Sequence, residues 1–268
     1  MNLSFPRSLG AGVVGLATVL LCLPAVATTG PDAPPAAKLA LSATASFASQ
    51  YMFRGERLGG PSFQPSIDGT YGNFAAGLWS NFPLQDKLAG QSDPEFNFYG
   101  AYTFSLNDRV TLAPGWTLYT YPRAPTDAGF FRATIEPNLC LNFALADLRL
   151  ASRISYDLDT NESAAEVSAS YALPIAGTGA EIALTGTLGT HLLGNAEFAA
   201  DPRVKAWGNF WSIGGAVPCQ MSDAGKLTIG WSYTRGSGAF VKRGSAPKEA
   251  NPFAAGRGVI ALSYAMDF

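Results

Sequence analysis

The one histidine of the 268-residue chain, His191, is the natural starting point for chemistry. A hydrolase of the Ser-His type needs its histidine as general base beside a nucleophile. Thr190 and Leu192 flank His191, and no serine follows two residues on. Glu197 could share a loop with it, as a lipid-acting barrel enzyme would require, yet no Asn-Asp pair suited to calcium stands near the first strands. The other acids outside predicted strands, Asp86, Asp93, Asp159 and Glu162, are scattered. A lone histidine also excludes a histidine-rich metal centre. No catalytic residue, metal or cofactor is therefore expected, and the chain is read as something other than an enzyme.

The remaining charges are more orderly. Only 14% of residues are charged, aromatics reach 12%, there are 29 glycines, and the formal net charge is −2. A soluble domain carries about 25% charged residues, and disorder requires low hydrophobicity with high net charge. Neither description fits, and no basic stripe suggests nucleic acid. The charges recur at alternate positions opposite apolar residues. In 147–158, Leu148, Leu150, Ile154, Tyr156 and Leu158 alternate with Asp147, Arg149, Arg153 and Asp157. In 95–104, Phe96, Phe98, Tyr102 and Phe104 fall on one face, with Glu95, Asn97, Tyr99 and Thr103 on the other.

Period-2 alternation in pieces of about ten residues is the signature of a transmembrane barrel strand. Twelve such segments are predicted: 39–53, 61–71, 73–82, 95–104, 109–121, 129–141, 146–158, 163–173, 180–191, 204–218, 225–235 and 257–268. Their connections alternate short and long, as in a barrel with short periplasmic turns and longer outer loops. The fold class is thus all-β, a closed antiparallel up-and-down barrel. Pro65, Pro114 and Pro137 sit badly in it, because proline removes a ladder hydrogen bond, so each marks a bulge or an error of phase. Phe53, Trp79, Trp116, Tyr121, Trp207, Trp211, Trp231, Tyr233 and Phe268 read as interfacial girdle or lipid-facing aromatics.

The start of the chain reads as an export signal over 1–27, with Arg7, an apolar run from Ala11 to Leu23, and the small-x-small pattern Ala25-Val26-Ala27. A flexible, proline-rich lead-in covers 28–38 and the barrel 39–268. Cys140 and Cys219 are placed on strands that are not neighbours and are expected as two separate thiols rather than a disulfide. Alternation through Ile260, Leu262, Tyr264 and Met266 to Phe268 matches the terminal pattern read by the outer-membrane assembly machinery, with Tyr264 and Phe268 as its signal residues.

The face opposite the aromatics carries Asp68, Glu95, Arg109, Arg132, Glu136, Asp147, Arg149, Arg153, Asp157, Glu166, Glu181, Lys226, Arg257 and Asp267. Intramembrane charges must pair or meet water, which a water-filled pore allows. So does a narrow barrel closed by salt bridges. Arg132, Arg149 and Arg153, with Arg109 nearby, form the candidate basic track. The longest connection, 236–256, carries Lys242, Arg243 and Lys248 and is the candidate constriction loop.

Ser49-Gln50-Tyr51-Met52-Phe53-Arg54-Gly55, followed by Pro61-Ser62-Phe63-Gln64, resembles the opening signature of the TorF-type porins, in which Tyr-x-Phe-Arg-Gly precedes a Pro and a Gln on the returning strand. Phe96-Asn97-Phe98-Tyr99-Gly100-Ala101-Tyr102 resembles that family's next block. The similarity covers roughly 46–104, and Ser62 stands where alanine is usual. It implies an exported outer-membrane barrel regarded as a channel, with no catalytic residues and no assigned substrate. Arg54-Gly55 is expected to end the first strand at the outer rim, with Arg54 reaching lipid phosphate or a loop carboxylate. The expected function is passive diffusion of small polar solutes, with outer-membrane lipid and the assembly machinery as partners. The alternatives are a non-conducting or adhesive barrel with a salt-bridged lumen, a lipid-acting enzyme using His191, and a soluble sandwich.

Overall fold

A computed structural model describes residues 38–85, 94–128, 130–175, 180–194, 205–236 and 256–268. The expected export signal, the lead-in apart from Lys38, and the constriction-loop residues Lys242, Arg243 and Lys248 lie outside the described residues. In chain order the strands are β1 (Leu39–Ala48), β2 (Tyr51–Phe53), β3 (Glu56–Gly59), β4 (Ser62–Phe63), β5 (Ser66–Tyr71), β6 (Phe74–Pro83), β7 (Glu95–Tyr102) and β8 (Phe104–Ser105). They continue with β9 (Val110–Thr120), β10 (Ala133–Leu145), β11 (Leu148–Tyr156), β12 (Ser163–Pro174), β13 (Glu181–Gly194), β14 (Lys205–Gln220), β15 (Gly225–Gly236) and β16 (Arg257–Asp267).

β4 and β5 are one stave interrupted at Gln64-Pro65, and β7 and β8 are one stave interrupted at Thr103. β2 and β3 pair only with each other. The others form a ring of twelve antiparallel staves in chain order. β1 pairs with β5 on one side and with β16 on the other, in the register Ser42↔Asp267 to Ala48↔Ala261. That pairing closes the ring, with Phe268 N donating to Leu41 O at 2.9 Å. Closure satisfies every stave on both sides and removes the soluble sandwich from consideration.

Alternation decides which face goes where. Leu41, Phe47, Ile67, Leu139, Leu150, Ile154, Val167, Leu188, Ile213, Ile229, Ile260 and Leu262 all point out of the ring and are exposed. Glu95, Asn97, Glu136, Arg153, Glu166, Thr187 and Ser263 point in and are buried. A barrel in water would reverse this pattern. Apolar outside and polar inside is the arrangement that a lipid surround demands.

The prolines fall where a ladder can lose a rung. Continuing the β7–β9 register from Ala101↔Gly115 places Pro114 opposite Tyr102, next to the break that separates β7 from β8. The β10–β11 ladder begins at Asn138↔Ser155. It skips Pro137 and resumes with Leu158 N donating to Ile135 O at 3.0 Å. Pro65 sits between β4 and β5, and its carbonyl still accepts from Ser80 N at 2.9 Å. Each missing donor costs a single rung.

Several inward or outward glycines lie under an aromatic ring of the neighbouring stave. Tyr99 covers Gly77 and Phe210 covers Gly189, leaving no room for a side chain at either position. Among the described residues Cys140 is buried and Cys219 exposed, and the two form no disulfide with each other.

Candidate functional site: a hairpin seated in the lumen

The predicted first strand, 39–53, is too long. Its wall portion ends at Ala48, and the chain then turns inward as the β2–β3 hairpin. Arg54 and Gly55 form the tip, at φ 44° and φ 86°. Two consecutive positive φ values characterise the tight two-residue turn that suits strand twist. Only glycine adopts the second value without strain.

Tyr51, Met52, Phe53 and Arg54 each meet a different stretch of wall. Tyr51 packs on Trp79 with ring centroids 5.6 Å apart, and its hydroxyl donates to Glu95 Oε1 at 3.3 Å. Phe53 packs edge-on against Tyr119 at 6.3 Å. Met52 is buried with Ala48, Val259 and Ala261 at the β1–β16 seam. A Cβ added to Gly55 would lie 2.5 Å from Phe210 Cβ and 3.0 Å from Gly236 Cα, so the tip reaches β14 and β15.

Arg54 carries the strongest contacts. Its Nη1 and Nη2 donate to Glu136 Oε2 and Oε1 at 2.7 and 2.9 Å, a bidentate pair. Nε donates to Glu166 Oε1 at 3.0 Å, and Nη2 also to Ser155 Oγ at 3.0 Å. Arg153 Nη2 donates to Glu136 Oε1 at 3.3 Å, and Tyr119 Oη to the same oxygen at 3.3 Å. Two guanidinium groups thus balance two carboxylates, and each of these four residues is about 5% exposed or less. A buried pair is favourable only with such extra hydrogen bonds, and losing one partner strands a charge.

These contacts correct three expectations. Arg54 does not face lipid phosphate at the rim; it crosses the lumen to the wall opposite β1. Phe53 and Trp79 face the lumen rather than lipid. The basic track does not assemble, because Arg153 is buried in the cluster while Arg109, Arg132 and Arg149 are exposed near strand ends. The lumen residue that sequence reasoning missed is Arg54, whose partners are 82 and 112 residues away.

The other candidates have local roles. Asp157 is buried and accepts from Asp159 N and Thr160 N at 2.9 and 2.8 Å, shaping the β11–β12 turn. Asp147 is exposed in the β10–β11 turn. Gln64 Nε2 donates to Asn81 Oδ1 at 3.0 Å, and Pro61 O accepts from Leu84 N at 2.7 Å, so both help hold the return from the hairpin. His191 is buried, with Nε2 3.4 Å from Glu162 Oε2. Glu197 lies outside the described residues. Tyr264 lies over Gly225, and Phe268 is exposed. Among the described residues no group of three or more His, Cys, Asp and Glu side chains is placed to hold a metal ion.

The sequence matches the model of a family described as "Bacterial protein of unknown function (Gcw_chp)" over residues 32–242. No curated protein matches it. Solved structures similar to it include the NanC porin, at 13% identity and TM-score 0.48, covering 84% of this chain and 98% of that one. The KdgM porin is 8% identical with TM-score 0.48, covering 85% and 99%. An outer-membrane channel from Pseudomonas putida F1 is 12% identical with TM-score 0.41, covering 91% and 99%.

Proposed function

Since the chain belongs to that family, whose description assigns no activity, we propose its function from the lumen: an outer-membrane channel for small polar solutes, with the β2–β3 hairpin as its constriction. One observation carries the reading. The ring is apolar outside and polar inside, and among the described residues one inserted hairpin narrows it. Outer-membrane barrels place short turns in the periplasm and longer connections outside. The turns at Gly72, Asn107-Asp108, Ala146-Asp147 and Ser222 to Ala224 lie at one end of the staves. The hairpin enters from the other end, which this rule makes the outer one. The export signal over 1–27 and the aromatic alternation ending in Phe268 support the same location, with lipid and the assembly machinery as partners. Solute passage is passive and bounded by the space left beside Arg54.

A second reading has its own support. The hairpin touches β6, β7, β9, β10, β12, β14 and the β1–β16 seam. A hairpin seated so widely can close the barrel completely. Single-channel recording in a planar lipid bilayer separates the two. Discrete steps from the intact protein, growing several-fold when 51–59 is replaced by two glycines, are expected for the channel. Steps only from the shortened protein would establish a plug instead. Steps from neither would overturn both readings.

A further inference from the structure

Glu95 is a lumen carboxylate at the hairpin level beside which no cation is found among the described residues. It is buried on β7. Its Oε1 accepts from Asn97 Nδ2 at 2.9 Å and from Tyr51 Oη at 3.3 Å. No described side chain donates to Oε2. The flanking staves bring Trp79 and Asn81 from β6 and Tyr119 from β9, none of them cationic. Of the two arginines on the hairpin, Arg54 is committed to Glu136 and Glu166, and Arg57 Nε donates to Gln50 Oε1 at 2.8 Å.

A second observation points the same way. Asn97 is 1% exposed, and its Oδ1 is buried without a hydrogen-bond partner. Turning the amide over would not help, because it would set its oxygen against the carboxylate. A buried acceptor left unpaired costs about 1–3 kcal/mol. The same short stretch of wall therefore holds an unpaired carbonyl oxygen and an uncompensated carboxylate. Two aromatic rings, Tyr51 and Trp79, border it. Further down the inner face of β7, about 13 Å from Glu95 at a strand rise of ~3.3 Å per residue, Tyr99 donates to a second acid, Asp68 on β5.

We propose that Glu95, Asn97 Oδ1 and the Tyr51–Trp79 pair form a subsite for a primary ammonium group. Such a group brings a positive charge and three N–H donors. One donor meets Glu95 Oε2 and one meets Asn97 Oδ1, Tyr51 holds the carboxylate through its hydroxyl, and the Trp79 ring adds cation–π attraction. A hard metal ion asks for six or more oxygen ligands, more than this site offers. The inference rests on the lumen being a solute path, and it names the solute class: small polar molecules bearing an amine.

The test is a titration of the folded chain in detergent micelles with methylammonium chloride, followed by tryptophan fluorescence and repeated with Trp79→Phe to assign the signal. Sodium chloride at equal ionic strength is the blank. Saturable binding is expected in the wild type, at least tenfold weaker in Glu95→Gln, and unchanged in Glu181→Gln at the far end of the lumen. Circular dichroism checks that each variant is folded. Absence of saturable binding, or equal binding by Glu95→Gln, overturns the proposal; the first is also what a neutral Glu95 carboxyl donating directly to Asn97 would give. Channel steps without methylammonium binding would leave the channel reading intact and remove this one. Binding without steps would leave the ammonium subsite standing and remove the channel reading, and with it the assignment of a solute class.

Discussion

The two halves of the lumen are built from different materials. At the hairpin level the wall presents Glu95, Glu136, Arg153 and Glu166, all buried, and their environment is completed by a segment that belongs to no stave. Toward the short turns, the inward positions of β1, β12, β13, β14 and β16 include Ser42, Thr44, Ser170, Thr185, Ala216 and Ala265 beside the acids Glu181 and Asp267, all half-exposed or exposed. Small hydroxyl and methyl side chains leave a barrel wide and ask little of their neighbours. Large charged ones must be satisfied, and the protein satisfies them with an insert rather than with facing staves. Among the described residues narrowing is thus a property of one short hairpin, and in the proposed channel the half toward the short turns is a vestibule.

Substitutions can break that contrast in graded steps. The largest effect is expected from Arg54→Ala, which takes the bidentate partner from Glu136, leaving it Arg153 and Tyr119, and the guanidinium donor from Glu166. Losing one member of a buried ion pair costs about 3–5 kcal/mol, read as a lowered denaturation midpoint together with larger channel steps. Adding Glu136→Gln should recover part of that loss; a double variant as unstable as the sum of its singles would show that the two residues are not coupled. Gly55→Ala comes next, because it combines a φ of 86° with a Cβ only 2.5 Å from Phe210 Cβ. A strained backbone position of this kind costs about 1–3 kcal/mol. Noise or flicker in single-channel traces should rise with it as the tip unseats. Ser170→Ala in the vestibule should be nearly silent, within about 0.5 kcal/mol and with unaltered step size. A marked effect there would mean that the wide half also contributes to selection.

The wall was legible from the sequence because each stave has one face in lipid and one in the lumen, which stamps period 2 on the residues. That pattern located Glu136, Arg153 and Glu166 on the inner face without any structure. The hairpin escaped because its residues alternate too, so 39–53 reads as a single strand. Its length held a clue. Fifteen residues exceed the roughly 9–11 that a tilted stave needs to cross a bilayer, and Arg54-Gly55 fits a two-residue turn. The pairing of Arg54 with Glu136 could not be read, since alternation says which face a residue takes and nothing about what lies across the ring. Cross-lumen contacts depend on ring closure, which is a property of the whole chain.

The seam has a consequence for how the protein comes to be. β1 finds its last neighbour in β16, joining residues such as Ser46 and Ser263 that are 217 positions apart. Until then the sheet is a curling ribbon with two open edges, each a row of unpaired donors and acceptors. Contacts this distant in sequence form slowly. Met52 packs against Val259 and Ala261 on that very seam, so the hairpin and the final zip share a surface. The insert can act as the former around which the ribbon rolls shut, which would make its apolar residue a determinant of assembly yield even where it has no influence on traffic through the finished ring.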